Sequence, residues 1–270
     1  MKIEEITLTL EGYQLHRLIL TPEDTMKGTL IFFHGQGDFI DRYPPLLRLF
    51  VKRGWECILT DLPGHGRSAG KRGHVPSLQF IDRIIDDLPV TEKMAVCGHS
   101  MGGMLALREL MRRPERYSMG WFSSPLLAPA HQASPLMKVT LPIIAGLFPW
   151  LTRSTGVRAE DCTPEDRKEH PEIKSLYHGK ISLGWARELF QTGKNLDAQW
   201  LNLPKKTPLL FTQGKADRIC PASILRERLG KLDDSQIEYR EIPNALHEPF
   251  TGETAKEFYR VLDQALTKLA

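Results

Sequence analysis

The sequence has little of several things that would mark other classes of protein. No stretch reaches about 18 uninterrupted apolar residues, so no membrane-spanning helix is expected. Charge is nearly balanced, 36 Lys and Arg against 33 Asp and Glu for a net +3, which gives no reason to expect a nucleic-acid partner. Four cysteines, at 57, 97, 162 and 220, form no C-x-x-C pair. Cys57 and Cys97 sit inside apolar strand-like runs, where a free thiol behaves as a small hydrophobe. This fits a reducing compartment and no disulfide framework. The nine histidines show no H-x-x-H or H-E-x-x-H spacing, so neither a metal nor another cofactor is expected. Internal repeats and low-complexity segments are lacking too. The opening Met1-Lys2-Ile3-Glu4-Glu5 is acidic and alternating, unlike a signal peptide, and the expected location is cytoplasmic.

What is present is an alternation of strand and helix patterns. At 270 residues, 41% hydrophobic and 26% charged, the chain suits one large domain or a domain with an inserted lobe. Ile3 to Leu10 and Gln14 to Leu20 alternate apolar and polar residues around Gly12-Tyr13, an edge hairpin. Thr29 to Phe33 is apolar after its threonine, as in a strand buried on both faces. Pro44 to Arg53 reads as a helix, with proline in its first turn and Gly54 beyond its end. Trp55 to Thr60 reads as a strand and Leu78 to Leu88 as a helix. A strand leads into Gly98, and helix Met101 to Arg113 and strand Tyr117 to Phe122 follow. The alternation resumes with strand Pro208 to Thr212, helix Pro221 to Lys231, strand Gln236 to Ile242 and terminal helix Glu253 to Leu269.

Between these halves the pattern changes. Pro135 to Leu151 is apolar but carries three prolines, Arg158 to Lys174 is highly charged, and Ile181 to Thr192 is helical. The expected architecture is therefore α/β, with a mostly parallel central sheet flanked by helices and an inserted helical cap. The body spans 1–124 and 204–270, and the cap spans 125–203. The cap's apolar side chains, among them Leu136, Ile143, Leu147 and Phe148, are candidates for an acyl-binding wall. If exposed, the same face would make transient contact with a membrane surface.

Gly98-His99-Ser100-Met101-Gly102 lies between the strand and the helix. This is the G-x-S-x-G nucleophile elbow, a turn so tight that small residues are needed two positions either side of the serine. Serine is a weak nucleophile and needs a base, and that base needs a carboxylate to hold its tautomer. Asp217 and His247 each follow a strand pattern. The chain order Ser100, Asp217, His247 is that of α/β-hydrolases among the serine hydrolase folds. Oxyanion donors are assigned to the backbone N–H groups of Met101 and of Gln36, in His34-Gly35-Gln36-Gly37. His34, His65 and His99 are read as bracing or packing residues. His16, His74, His131, His170 and His178 show no partner pattern.

These stretches resemble the monoacylglycerol lipase and lysophospholipase group of α/β-hydrolases, grouped with serine aminopeptidase-like hydrolases. The resemblance runs through His34-Gly35-Gln36-Gly37 with Arg42-Tyr43, Asp61-Leu62-Pro63-Gly64-His65-Gly66-Arg67-Ser68, Gly98 to Gly103, Ser123-Ser124-Pro125, Gln213 to Cys220, and His247. Relatives often carry an acid and a histidine after the H-G-x-G stretch; here Asp38 keeps the acid and Phe39 replaces the histidine. The resemblance implies hydrolysis of a small lipid-like ester, a monoacylglycerol or lysophospholipid, through an acyl-enzyme. It sets no oligomeric state. The rival readings are a short-chain carboxylesterase, an aminopeptidase-like amidase or a non-catalytic ligand-binding protein of the same fold. The amidase needs an acidic anchor, for which Glu160, Asp161, Glu165 and Asp166 are available, although such a run also fits a solvated face.

Overall fold

The computed structural model describes residues 1–127, 143–162, 175–232 and 236–269. In chain order the elements are β1 (Lys2–Leu10), β2 (Tyr13–Thr21), β3 (Gly28–Phe33), α1 (Pro44–Val51), β4 (Trp55–Thr60), α2 (Leu78–Asp86), β5 (Met94–His99), α3 (Met101–Arg112) and β6 (Met119–Ser123). Then come β7 (Thr152–Ser154), α4 (Ala159–Cys162), β8 (Lys180–Ser182), α5 (Leu183–Ala198), β9 (Leu209–Gly214), α6 (Ala222–Leu229), β10 (Ile237–Ile242) and α7 (Ala255–Leu269).

Eight strands form one sheet in the order β1-β2-β4-β3-β5-β6-β9-β10. The β1–β2 hairpin and its junction with β4 are antiparallel, and every pairing from β4 to β10 is parallel. The continuous apolar run of β3 has a simple cause. Ile31 and Phe33 join the cluster containing Ile81 and Ile84 of α2 and Leu105 of α3, whereas Leu30 and Phe32 join the one containing Phe50 of α1 and Phe258 of α7. Successive side chains point to opposite faces of a strand, so a strand covered on both sides must be apolar throughout. Proline opens α1, and the Ser77 hydroxyl accepts from the Phe80 N–H to cap α2.

The segment between β6 and β9 adds no strand to this sheet among the described residues. It contributes α5, which packs its Trp185, Leu189 and Leu196 into the α3 side of the core, and a small antiparallel β7–β8 pair. That pair is an addition to the expected all-helical insertion. Helix α5 also runs on to Ala198, beyond the expected end at Thr192. Strand β6 starts two residues after the expected Tyr117, because Pro114–Arg116 forms a 3-10 turn and the Tyr117 hydroxyl is drawn to Glu109, 2.8 Å away.

The sheet order changes direction at β3. Its sequence neighbours β4 and β5 lie on opposite sides of it, and ligands of α/β sheets bind beyond the carboxyl ends of the strands at such a point.

Candidate active site

Ser100 sits between the end of β5 and the start of α3, with φ 56° and ψ −119°. A non-glycine residue held there costs about 1–3 kcal/mol and persists only when its surroundings fix it. The Ser100 N–H donates to the Ser123 carbonyl at 2.9 Å, and its own carbonyl accepts from Met104 and Leu126. Gly98 and Gly102 are the small residues that the turn requires. A Cβ on Gly98 would collide with the Gly102 carbonyl, and one on Gly102 with the Phe33 carbonyl.

The structure brings Ser100, Asp217 and His247 together. The hydroxyl oxygen of Ser100 lies 2.8 Å from His247 Nε2, and His247 Nδ1 lies 2.8 Å from Asp217 Oδ2. All three are buried. Asp217 is held by the turn after β9: its Oδ1 accepts from the N–H groups of Ile219 and Cys220, and its Oδ2 accepts from Gln213 Nε2 at 2.7 Å. Burial alone would raise its pKa. The neighbouring His247 and these donors outweigh burial and hold the carboxyl below its ordinary value. Asp217 therefore accepts from Nδ1–H, which leaves Nε2 as the lone-pair face toward Ser100.

Met101 opens α3, so its N–H has no carbonyl one turn back. The loop bearing Gln36 lies against the serine: a Cβ at Gly35 would stand 3.5 Å from Ser100 Cβ. Within the same loop, His34 Nδ1 lies 2.7 Å from the Gly35 carbonyl, and its Nε2 accepts from the Leu62 N–H. Both ring nitrogens are thus engaged in bracing loops. His65 is engaged with the Pro63 carbonyl at 3.1 Å. His99 packs its ring against Phe250 and His247, and burial, with the nearby His247, pushes its pKa down to about 3.

Several residues were not visible as site residues in the sequence. Trp185 of α5 sends its indole Nε1 to Gln36 Oε1 at 3.1 Å and to Met101 Sδ at 3.3 Å. Arg42 joins two loops, reaching Asp38 at 3.0 Å and Glu248 at 2.6 Å, with its guanidinium over the Tyr177 ring. Burial opposes its charge, but the two carboxylates outweigh it and hold Arg42 firmly protonated. His16 and His74 do have partners: His16 meets Asp41 at 3.1 Å and Glu5 at 3.4 Å, and His74 Nδ1 meets Ser182 Oγ at 2.9 Å. His178 stacks beside His65, and its backbone N–H donates to the Gly37 carbonyl. These partners lie far away in sequence, which is why no local pattern announces them. His131 and His170 fall outside the described residues.

Of the expected acyl-binding wall, Leu136 lies outside the described residues. Ile143, Leu147 and Phe148 are exposed, at 63%, 65% and 50%. Glu160 is solvated and paired with Arg158, Asp161 lies near Arg218, and Glu165 and Asp166 are outside the described residues. Among the described residues, the one grouping with metal-ligand proximity is Asp217, Cys220 and His247. Its donors are already committed: both imidazole nitrogens and both carboxylate oxygens are hydrogen-bonded, and burial keeps the Cys220 thiol protonated.

A family model described as serine aminopeptidase, S33 (Hydrolase_4) matches residues 24–255. A monoacylglycerol lipase of Mycolicibacterium smegmatis is 27% identical over 247 residues, 86% of this chain and 85% of its own. The phospholipase YtpA of Bacillus subtilis is 29% identical over 251 residues, covering 88% and 94%. The crystal structure of a Paleococcus ferrophilus monoacylglycerol lipase superposes with a TM-score of 0.84 at 28% identity, covering 95% of this chain and 99% of that one. With the elbow, the sheet order and a match over most of its length in agreement, the chain belongs to the serine aminopeptidase S33 family and has the α/β-hydrolase fold.

Proposed function

We propose that the protein is a serine hydrolase that cleaves single-chain acyl esters, monoacylglycerols or lysophospholipids, through an acyl-enzyme. The observation that carries this reading is the unbroken hydrogen-bond chain Asp217–His247–Ser100, with both links at 2.8 Å. In this reading His247 takes the Ser100 proton as the hydroxyl attacks the ester carbonyl. Asp217 stabilises the imidazolium that forms. The N–H groups of Met101 and Gln36 receive the oxyanion, each worth about 2.7–4 kcal/mol to the transition state. His247 then protonates the leaving alcohol, and water attacks the acyl-enzyme with His247 again as base.

The substrate class rests on the relatives: one is a monoacylglycerol lipase and another a phospholipase. The described parts of the inserted segment, 143–162 and 175–203, act as a cap in this reading. Its exposed Ile143, Leu147, Phe148, Trp150 and Leu151 form an apolar surface suited to contact with a lipid aggregate. No helix among the described residues is long and apolar enough to cross a membrane.

The test has two parts. A fluorophosphonate probe labels the wild-type protein and fails on Ser100→Ala. Initial rates are then compared on monoacylglycerols, lysophospholipids and proline amides. Absence of labelling in the folded wild type removes the enzyme reading, and faster turnover of amides than of esters removes the lipase reading.

A further inference from the structure

We infer that Trp185 is a positioning residue whose indole N–H clamps the two strand-end loops that carry the oxyanion donors. The inference rests on the serine-hydrolase reading above. Its starting point is a single buried donor shared by two acceptors. Trp185 is fully buried, and its Nε1 lies 3.1 Å from Gln36 Oε1 and 3.3 Å from Met101 Sδ. Gln36 and Met101 are also the residues whose backbone N–H groups are assigned to the oxyanion.

The chemistry fixes the orientation of each partner. An indole nitrogen only donates, and an amide oxygen and a thioether sulfur only accept. The other end of the Gln36 amide donates to the Lys180 carbonyl at 2.8 Å. Flipping that amide would set donor against donor at one end and acceptor against acceptor at the other, so the side chain has one arrangement. The clamp is itself held. The Ser182 hydroxyl accepts from the backbone N–H of Trp185 at 3.3 Å at the start of α5, and the same hydroxyl meets His74 Nδ1 at 2.9 Å. Gln36 follows β3 and Met101 follows β5, on neighbouring strands. Their loops are drawn to one point by a residue 149 positions from Gln36 and 84 from Met101. The hydrogen bonds of Trp185 go to Ser182, Gln36 and Met101 and not to the nucleophile or the base, so its effect is on donor placement. Oxyanion stabilisation is sensitive to such placement, since a displacement of about 1 Å can cost about 100-fold in rate.

The test uses the full chain with Trp185→Phe, which removes the N–H, and Gln36→Met, which removes the acceptor while nearly keeping volume on a half-buried loop. Turnover is read on a water-soluble 4-nitrophenyl ester. Affinity is read for a trifluoromethyl ketone, whose serine adduct carries the oxyanion. Each variant is expected to lose about tenfold in kcat with KM within about twofold. Affinity for the ketone should fall by the same factor as kcat. The double variant should lose less than the product of the two single losses, since both remove the Trp185–Gln36 bond while each also removes one bond of its own, to Met101 or to Lys180. Unchanged kcat in both variants, losses that multiply in the double variant, or a rise in KM with kcat intact would each overturn the inference. Ser100→Ala keeps the two readings separate. If it abolishes turnover while Trp185→Phe is neutral, only the clamp is wrong. If turnover survives in it, the serine-hydrolase reading fails first.

Discussion

Arg42→Met isolates how the base loop is held. The guanidinium is buried, at 9% side-chain exposure, and sits between two buried carboxylates, Asp38 on the loop after β3 and Glu248 next to His247. Asp38 also accepts from the Tyr43 hydroxyl at 2.6 Å. Methionine roughly preserves the stem but leaves both carboxylates without the guanidinium. Removing one partner of a buried ion pair costs about 3–5 kcal/mol, because a charge stays buried without compensation. Unfolding entropy of about 2.1 cal/mol/K per residue gives roughly 0.6 kcal/mol/K for this length, so the melting midpoint should fall by about 5–9 °C. Because Glu248 adjoins His247, kcat on a soluble ester should fall about tenfold as well. Differential scanning calorimetry and ester turnover read both. The combination Arg42→Met, Asp38→Asn, Glu248→Gln should recover a good part of the lost stability by removing the two carboxylate charges that the guanidinium balanced. A midpoint within about 2 °C of wild type for Arg42→Met, or no recovery in the triple variant, would refute the reasoning.

Three further outcomes follow from the same geometry. Asp217→Asn should lower kcat by about 10³–10⁴ with little change in KM, because an amide can present a donor to His247 Nδ1 and favour the wrong tautomer; steady-state kinetics check it, with circular dichroism to confirm folding. Gly102→Ala drives a Cβ into the Phe33 and His34 carbonyls and should cost about 1–3 kcal/mol, read by urea unfolding. His99 is buried neutral, its pKa down to about 3 against an ordinary 6.5. The unfolded chain therefore binds the extra proton first, and this contribution to stability is complete above the ordinary value and lost as pH falls toward the folded one. Between about pH 7 and pH 4.5 the wild type should lose more stability than His99→Leu, and parallel curves would rule this out.

The parts of the site that could be read from the sequence are those whose chemistry is local. The elbow shows itself because Gly98 and Gly102 must be small within one turn of Ser100. Asp217 and His247 show themselves because each closes a strand pattern, and β9 and β10 are neighbours in the sheet. Trp185 is hidden because its contact with Gln36 spans 149 residues and a tryptophan at helical spacing reads as ordinary core, whereas Arg42 shows only as part of the resemblance, its tie to Glu248 spanning 206 residues. The β7–β8 pair was hidden because three-residue strands carry no periodicity to detect. The apolar stretch around Ile143 to Leu151 reads as a wall or as a docking face, and its Ile143, Ile144, Leu147, Phe148, Trp150 and Leu151 are exposed. Hydropathy alone does not distinguish an apolar side chain that packs from one that faces solvent.

These hidden contacts share a physical logic. The strained Ser100 is useful only if the groups around it stay in place, and each comes from a different strand end. The acid is fixed within its own turn by Gln213 and two backbone N–H groups. The loops carrying the base and the Gln36 donor add distant ties to their own turn hydrogen bonds: Arg42 ties Glu248 to Asp38, and Trp185 ties Gln36 to Met101. Gln36 and Asp38 stand two residues apart on one short loop, so this loop is gripped from the body by Arg42 and from the inserted segment by Trp185 and Lys180. A loop held at both ends has little freedom to relax when either grip is removed partly. Substitutions at Arg42 and Trp185 should therefore couple through this loop, with a combined loss in kcat that departs from the product of the single losses. Independent effects in that double-mutant cycle would mean that the two grips act on separate parts of the site.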